Sequence, residues 1–209
     1  MQTANQFFTP EEQQRIEKAV VAAEQQTSGE IVPMVVDSSY DYPRAELIGG
    51  GTLGLASGLL ISWAFGGESI WWFLPVFVGA FFLFQQLIRN WPALKRRLIH
   101  PDELTAEVRE KALVCFLEQG LHETRDKTGI LILISLFEHR VQVLADSGIN
   151  AVVPKQAWDE VVAIVTNGLK TGATCDAVCR AVARCGELLQ EHFPRKQDDT
   201  DELRNFISD

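Results

Sequence analysis

The sequence predicts a small three-layer α/β sandwich, with about three core strands and four helices, interrupted by a two-helix transmembrane hairpin. Three observations carry this. Leu47 to Phe65 and Ile70 to Ile88 are apolar runs without charge, separated only by Gly66, Gly67, Glu68 and Ser69. Each is close to the ~20 residues a helix needs to cross a bilayer's hydrocarbon core. The polar sequence before them offers one helix and one strand, too little to bury a core by itself. It must therefore fold with the sequence after them, across the insertion.

The elements follow in order. Thr9 is placed as an N-cap, Pro10 as the first helical residue and Glu12 as the reciprocal partner of a capping box. Ile16, Ala19, Val20 and Ala23 then form one apolar stripe, and Gly29 is expected to end the helix. Ile31 to Val36 reads as a buried strand. After the hairpin, Asp102 or Thr105 caps a helix reaching about Leu121, with Val108, Ala112, Cys115 and Phe116 inward. Ile130 to Leu136 is a solid apolar run, as expected of a central strand buried on both faces. Glu138 and His139 turn the chain into Val141 to Ala145, an antiparallel partner. Pro154 opens a helix presenting Trp158, Val161, Val162 and Val165. A last helix starts at a Thr174 N-cap, buries Val178, Ala181, Val182, Cys185 and Leu189, and ends near Pro194. The first two strands should be parallel through a right-handed crossover. The boundaries are residues 1–43 and 99–194 for the two parts of the domain and 44–98 for the hairpin with its basic flank. Residues 195–209 form a charged tail expected to be loose.

Two spans joined by so short a turn return the chain to the side it left. Lys and Arg near span ends mark the cytoplasmic side. The turn has none, whereas Arg44 precedes the first span and Arg89, Lys95, Arg96 and Arg97 follow the second. Both soluble parts and both termini are thus expected in the cytoplasm of a cell with an inner membrane, with Lys95, Arg96 and Arg97 at anionic headgroups. Trp63, Trp71 and Trp72 at the turn and Trp91 past the other boundary fit interfacial belts. A chain of 209 residues has too little other mass to wrap two such helices as a soluble core. Met1 to Phe8 lacks the basic and apolar regions of a secretion signal. The four cysteines are expected to be reduced thiols. Gly50, Gly54 and Gly58 recur every four residues on one face of the first span. That face serves either packing on the second span, where Gly79 would help, or dimerisation.

Three blocks resemble the TPM domain. FFTPEEQQRIEKAVVAAEQQTSGEIVPMVV resembles its opening helix and strand, RDKTGILILISLFEHRVQVLADSGINAVVP its strand hairpin and following loop, and GLKTGATCDAVCRAVARCGELL its last helix. The order and the inserted spans are similar to the short bacterial membrane form. The resemblance implies ties to photosystem II repair and acid phosphatase activity in plant and cyanobacterial members, receptor modulation in an animal member, and divalent-cation binding in bacterial members. It also implies an acidic position before the central strand, met here by Asp126. After the third strand the family tends to have glycines and a Glu before the Pro; here Asp146 stands at a glycine position, Gly148 is retained and Asn150 stands at the Glu position, so one family carboxylate is missing.

Asp126 and Asp146 lie at one end of the expected sheet, with His122 and Glu123 nearby. Two carboxylates with backbone carbonyls suit a hard cation such as Ca²⁺ or Mg²⁺; ordinary turn chemistry explains the same residues. Asp37 falls at the opposite end and cannot share that ion. Cys175, Cys179 and Cys185 share a helix, but Cys185 points about 120° away from Cys179, so the three do not converge on a metal. No phosphate-cradling cysteine loop, Walker-type loop, Asp-x-Asp pair or serine elbow is present. A net charge of −9 without a basic stripe argues against nucleic acid. The expected function is a non-enzymatic, membrane-tethered binding or assembly module with an unidentified protein partner, a possible homo-oligomer and a weak Ca²⁺ or Mg²⁺ site. The alternative is a metal-dependent phosphatase acting on phosphate esters, implied by the resemblance alone.

Overall fold

The structure is a computed structural model that describes residues 3–65, 69–195 and 203–208. Residues 1–39 with 105–209 form one compact unit and residues 40–104 a second. The first unit is built on a sheet of order β3-β2-β1-β4. Its strands are β1 (Glu30–Val36), β2 (Gly129–Ser135), β3 (Arg140–Ala145) and β4 (Ile207–Ser208). β1 and β2 pair in parallel over their full length, from Glu30 opposite Gly129 to Val36 opposite Ser135. β3 runs antiparallel to β2.

Alternate residues of the two central strands feed opposite cores, as the two-residue period of a strand requires. Ile31, Val35, Ile130, Ile132 and Ile134 face α2 (Pro10–Glu24), α8 (Lys155–Thr171) and α9 (Thr174–His192). Val32, Met34, Val36, Leu131 and Leu133 face Val108, Ala112, Cys115 and Phe116 of α6 (Pro101–Glu118). The result is three layers, with three helices on one face and one on the other. The short helices α1 (Ala4–Phe7) and α7 (Ser147–Asn150) decorate it.

The Thr9 capping box is complete: Glu12 N donates to Thr9 Oγ1 at 3.2 Å and Thr9 N to Glu12 Oε2 at 2.9 Å. Three boundaries differ from the sequence expectation. α2 ends at Glu24, not at Gly29. Gly29 is instead a point of close approach: a Cβ there would fall 2.4 Å from Leu189 Cδ1, so the leucine tip would have to shift. α9 begins on Thr174 with Ala173 at the cap and no side-chain cap. α6 begins at Pro101, where the fixed φ of proline suits a first helical turn.

The tail is also corrected. Residues 203–208 are ordered against the sheet: Ile207 and Ser208 pair in parallel with Met34 and Val35. The ring of Phe206 lies 5.8 Å from that of Phe8. Composition hid this, since three residues that favour a packed edge follow a strongly charged stretch. Residues 196–202 and 209 lie outside the described part.

β4 completes a guarded edge. Leu136 N donates to Val36 O and Glu30 N to Thr128 O, so the even-numbered residues of β1 point their backbone groups toward β2. The odd-numbered ones point outward. Ile31 N donates to the buried carboxylate of Glu24 at 3.0 Å. Pro33 has no N–H to offer, as suits an edge position. Val35 lies beside β4.

The second unit contains α3 (Pro43–Ala64), α4 (Ile70–Asn90) and α5 (Pro92–Arg97). α3 and α4 are long and apolar enough to cross a membrane. Of the expected turn, Gly66, Gly67 and Glu68 lie outside the described residues, and Ser69 caps α4 through Trp71 N. Lys95 does not project freely as the sequence suggested. It pairs with Glu46 at 2.6 Å, both side chains largely buried, and donates to the carbonyl of Asp41.

Glu24→Ala should destabilise the domain by about 1–3 kcal/mol by leaving the buried Ile31 N–H unpaired. Glu24→Gln keeps the acceptor oxygen and should recover most of that loss. Denaturant unfolding of the detergent-solubilised chain measures both.

Candidate functional site

Asp126 and Asp146 do lie at one end of the sheet, before β2 and after β3. Their loops are in close contact: a Cβ on Gly148 would fall 2.8 Å from Asp126 O and 2.6 Å from Lys127 O. Lys127 adopts a left-handed backbone, φ 58°, at the tightest point of the approach. Asp146 N donates to Gly129 O at 2.9 Å. Asp146 Oδ1 accepts from the amide of Ser147 and from its hydroxyl at 2.9 Å, starting α7. Its Oδ2 is buried without a hydrogen-bond partner and is therefore an acceptor with spare capacity.

The neighbouring groups divide. Asn150 donates its side-chain amide to Ala145 O at 2.5 Å, closing the end of β3. His122, on the 3₁₀ turn Leu121–Glu123, lies 3.6 Å from the Glu123 carboxylate, and its backbone carbonyl accepts from Lys127 Nζ. Among the described residues no cluster of three or more His, Cys, Asp or Glu side chains is arranged to hold a metal ion. The donor set at this end is the pair of carboxylates.

The other end of the sheet holds a polar node that the sequence did not suggest. Glu138 is only 4% exposed. One carboxylate oxygen accepts from Ser39 N at 3.0 Å and Ser38 Oγ at 3.3 Å, and the other accepts from Ser135 Oγ. Ser39 Oγ lies 3.1 Å from Ser135 Oγ. Asp37, also at this end, accepts from the backbone N–H of Ala4. In the sequence, Glu138 next to His139 looks like a solvated hairpin turn; nothing in the local pattern marks a buried acid. A cavity of about 410 Å³ adjoins the node, lined in part by Phe7, Phe8, Ser135, His139 and Cys175.

The cysteines are structural. Cys185 is fully buried in the core, and burial pushes its thiol up to about 12. Burial likewise pushes Cys175 up to about 11 and raises Cys179. Protonated thiols are poor metal ligands and nucleophiles at neutral pH.

The glycine face lies against α4. A Cβ on Gly54 would sit 3.0 Å from Phe81 N and Cα, one on Gly50 3.2 Å from Gln85 N, and one on Gly58 3.1 Å from the Phe73 ring. Gly79 has no such role, because nothing lies within 4 Å of its would-be Cβ.

A family model described as TPM domain matches residues 98–188. No curated protein matches the chain. The NMR structure of BA42 protein from the psychrophilic bacterium Bizionia argentinensis is similar at 22% identity. The likeness covers 100% of this chain and 99% of that one with a TM-score of 0.61, and establishes a shared fold.

Gly54→Leu should force the two apolar helices apart and cost about 1–3 kcal/mol by overpacking, whereas Gly79→Leu should be nearly neutral. Thermal unfolding in detergent separates the two. The thiols set a pH dependence. Folding raises the Cys185 pKa from an ordinary 9.0 to about 12. The folded state therefore holds the proton more tightly, and stability is full below pH 9 and falls as pH climbs from there toward 12. Cys185→Ala should flatten this alkaline decline in a pH series of melting temperatures.

Proposed function

We propose, for a chain that carries a TPM domain, that the α3–α4 hairpin crosses a membrane and holds the α/β domain on the cytoplasmic face as a non-enzymatic binding or assembly module. The observation that carries this is the hairpin's outer surface. Trp63, Phe65, Ile70, Trp71, Phe82 and Leu83 are all exposed, and no residue in the most apolar window of α4 is buried. The core helix of a soluble protein would be covered by its neighbours. Helices of 22 and 21 residues reach about 30 Å, the thickness of a hydrocarbon core. Pro75 within α4 is tolerated in such a setting.

Asp126 and Asp146 support a weak divalent-cation site at the far end of the sheet from the Glu138 node. A cation held there would tie the loop before β2 to the loop after β3. The phosphatase alternative rests on the family resemblance; the hydroxyl beside the pair, Ser147 Oγ, is engaged with Asp146 Oδ1 at 2.9 Å, and burial keeps the Cys175, Cys179 and Cys185 thiols protonated. A module without turnover, recruiting a protein partner to the membrane surface, accounts better for these residues. Close tethering suits work on membrane-protein assembly or maintenance, an analogy drawn from the family.

Reporter fusions test the orientation: both termini should report a cytoplasmic location, and a periplasmic signal from either one overturns it. Millimolar Ca²⁺ or Mg²⁺ should raise the melting temperature of the purified chain. At ten times Kd the gain is about 1.4 kcal/mol by mass action. An Asp126→Ala, Asp146→Ala protein should show no rise.

A further inference from the structure

The glycine face of α3 is closed against α4 within one chain, so it is not available for dimerisation. Phe73, Phe77, Phe81, Gln85 and Ile88 are the α4 residues that those glycines and Gly49 meet. Two residues are about 200° of helix. Pro75, Gly79 and Leu83, each two positions from two of these contacts, therefore lie on the far side of α4. Gln86 and Asn90, each two positions from Ile88, continue the same row, and all five are exposed.

Two features of this row do not suit a surface covered by acyl chains alone. A Cβ at Gly79 would meet nothing within 4 Å, so the row carries a notch near the middle of α4 that its own hairpin does not fill. Gln86 precedes Trp91, the ring that marks the end of the span, by about 7.5 Å of helix. On the membrane-spanning reading given above, which this inference rests on, the Gln86 carboxamide faces hydrocarbon. Lipid tails offer it neither a donor nor an acceptor.

The occupant follows from symmetry. Copies inserted with one topology present α4 in the same direction, and a two-fold axis along the membrane normal sets each residue of the row against itself at the same depth. Glycine against glycine lets two backbones approach closely. A carboxamide both donates and accepts, so the Gln86 side chains of two copies satisfy each other. A helix of another protein would need both matches at the same spacing, whereas a second α4 carries them already.

We propose that this chain dimerises in the membrane through the face of α4 that bears Gly79, Leu83 and Gln86. Each α4 is then packed on both sides, by α3 of its own chain and by α4 of the second copy.

Full-length chains with Cys179→Ser, whose remaining thiols are buried, would carry either Leu83→Cys or Val78→Cys and be oxidised in native membranes with copper–phenanthroline. Val78 is also exposed but lies about 100° of helix from Gly79. A disulfide-linked dimer is expected from Leu83→Cys and not from Val78→Cys. Adding Gly79→Leu, which leaves the hairpin's own contacts untouched, should abolish the dimer. Gly51→Leu, at a glycine of α3 with equally open space, should not. Gln86→Leu should lower the cross-linked fraction about threefold, the measure of an ordinary interhelical hydrogen bond, and Gln86→Asn should keep most of it. Equal cross-linking at positions 78 and 83, none at either, or a product that survives Gly79→Leu overturns the proposal. Alkaline extraction of the same membranes separates the two readings. Chain that stays in the pellet without cross-linking refutes the dimer alone; chain released to the supernatant refutes the spanning hairpin and the dimer with it.

Discussion

The parallel pairing of β1 with β2 is the contact on which the domain depends, because residues 37–128 lie between the partners and every layer is hung on their register. A slip of one residue would turn Val32, Met34 and Val36 toward the three-helix face and Ile31 and Val35 toward α6. Loop-closure entropy grows only slowly with length, about 0.6 kcal/mol per doubling. A long insertion is therefore affordable in thermodynamic terms, and one made of two paired helices returns the chain rather than letting it wander.

The two ends of that ladder are finished differently. At the N-terminal end of β2 the buried Asp146 Oδ2 is an acceptor with capacity to spare, and Gly148 lets the two loops meet. At the C-terminal end the Glu138 carboxylate is consumed by serines on either side of the strand pair. The thiols, by contrast, take no part in either: the helix that bears three of them turns the most buried one into the core.

Much of this was legible because it follows periodicity. The capping box at Thr9, the inward stripes of α2 and α9, the solid run of β2 and the turn at His139 all express local rules, and the structure keeps them. What was hidden depends on contacts between distant residues. Gly29 looks like a helix stop and is a point of close approach to Leu189. Lys95 looks like a headgroup ligand and closes on Glu46. Glu138 looks solvated and is buried. The end of the tail looks disordered by composition, yet Phe206 and Ile207 find the edge of β1. At the candidate cation site the sequence placed Asp126 and Asp146 at one end of the sheet, but it could not show that Asn150 is committed to Ala145.

Pro33 carries a consequence for biosynthesis. β1 leaves the ribosome well before β2, and residues 37–128 must be made in the interval, roughly 5–20 s at ordinary elongation rates. Until then β1 is an unpaired strand that is apolar from Ile31 to Val36, the kind of segment that joins other nascent chains. A proline at its centre breaks the row of donors that such joining would use. The residue that blunts the mature edge is thus also suited to act earlier, as a guard on a strand waiting for its partner.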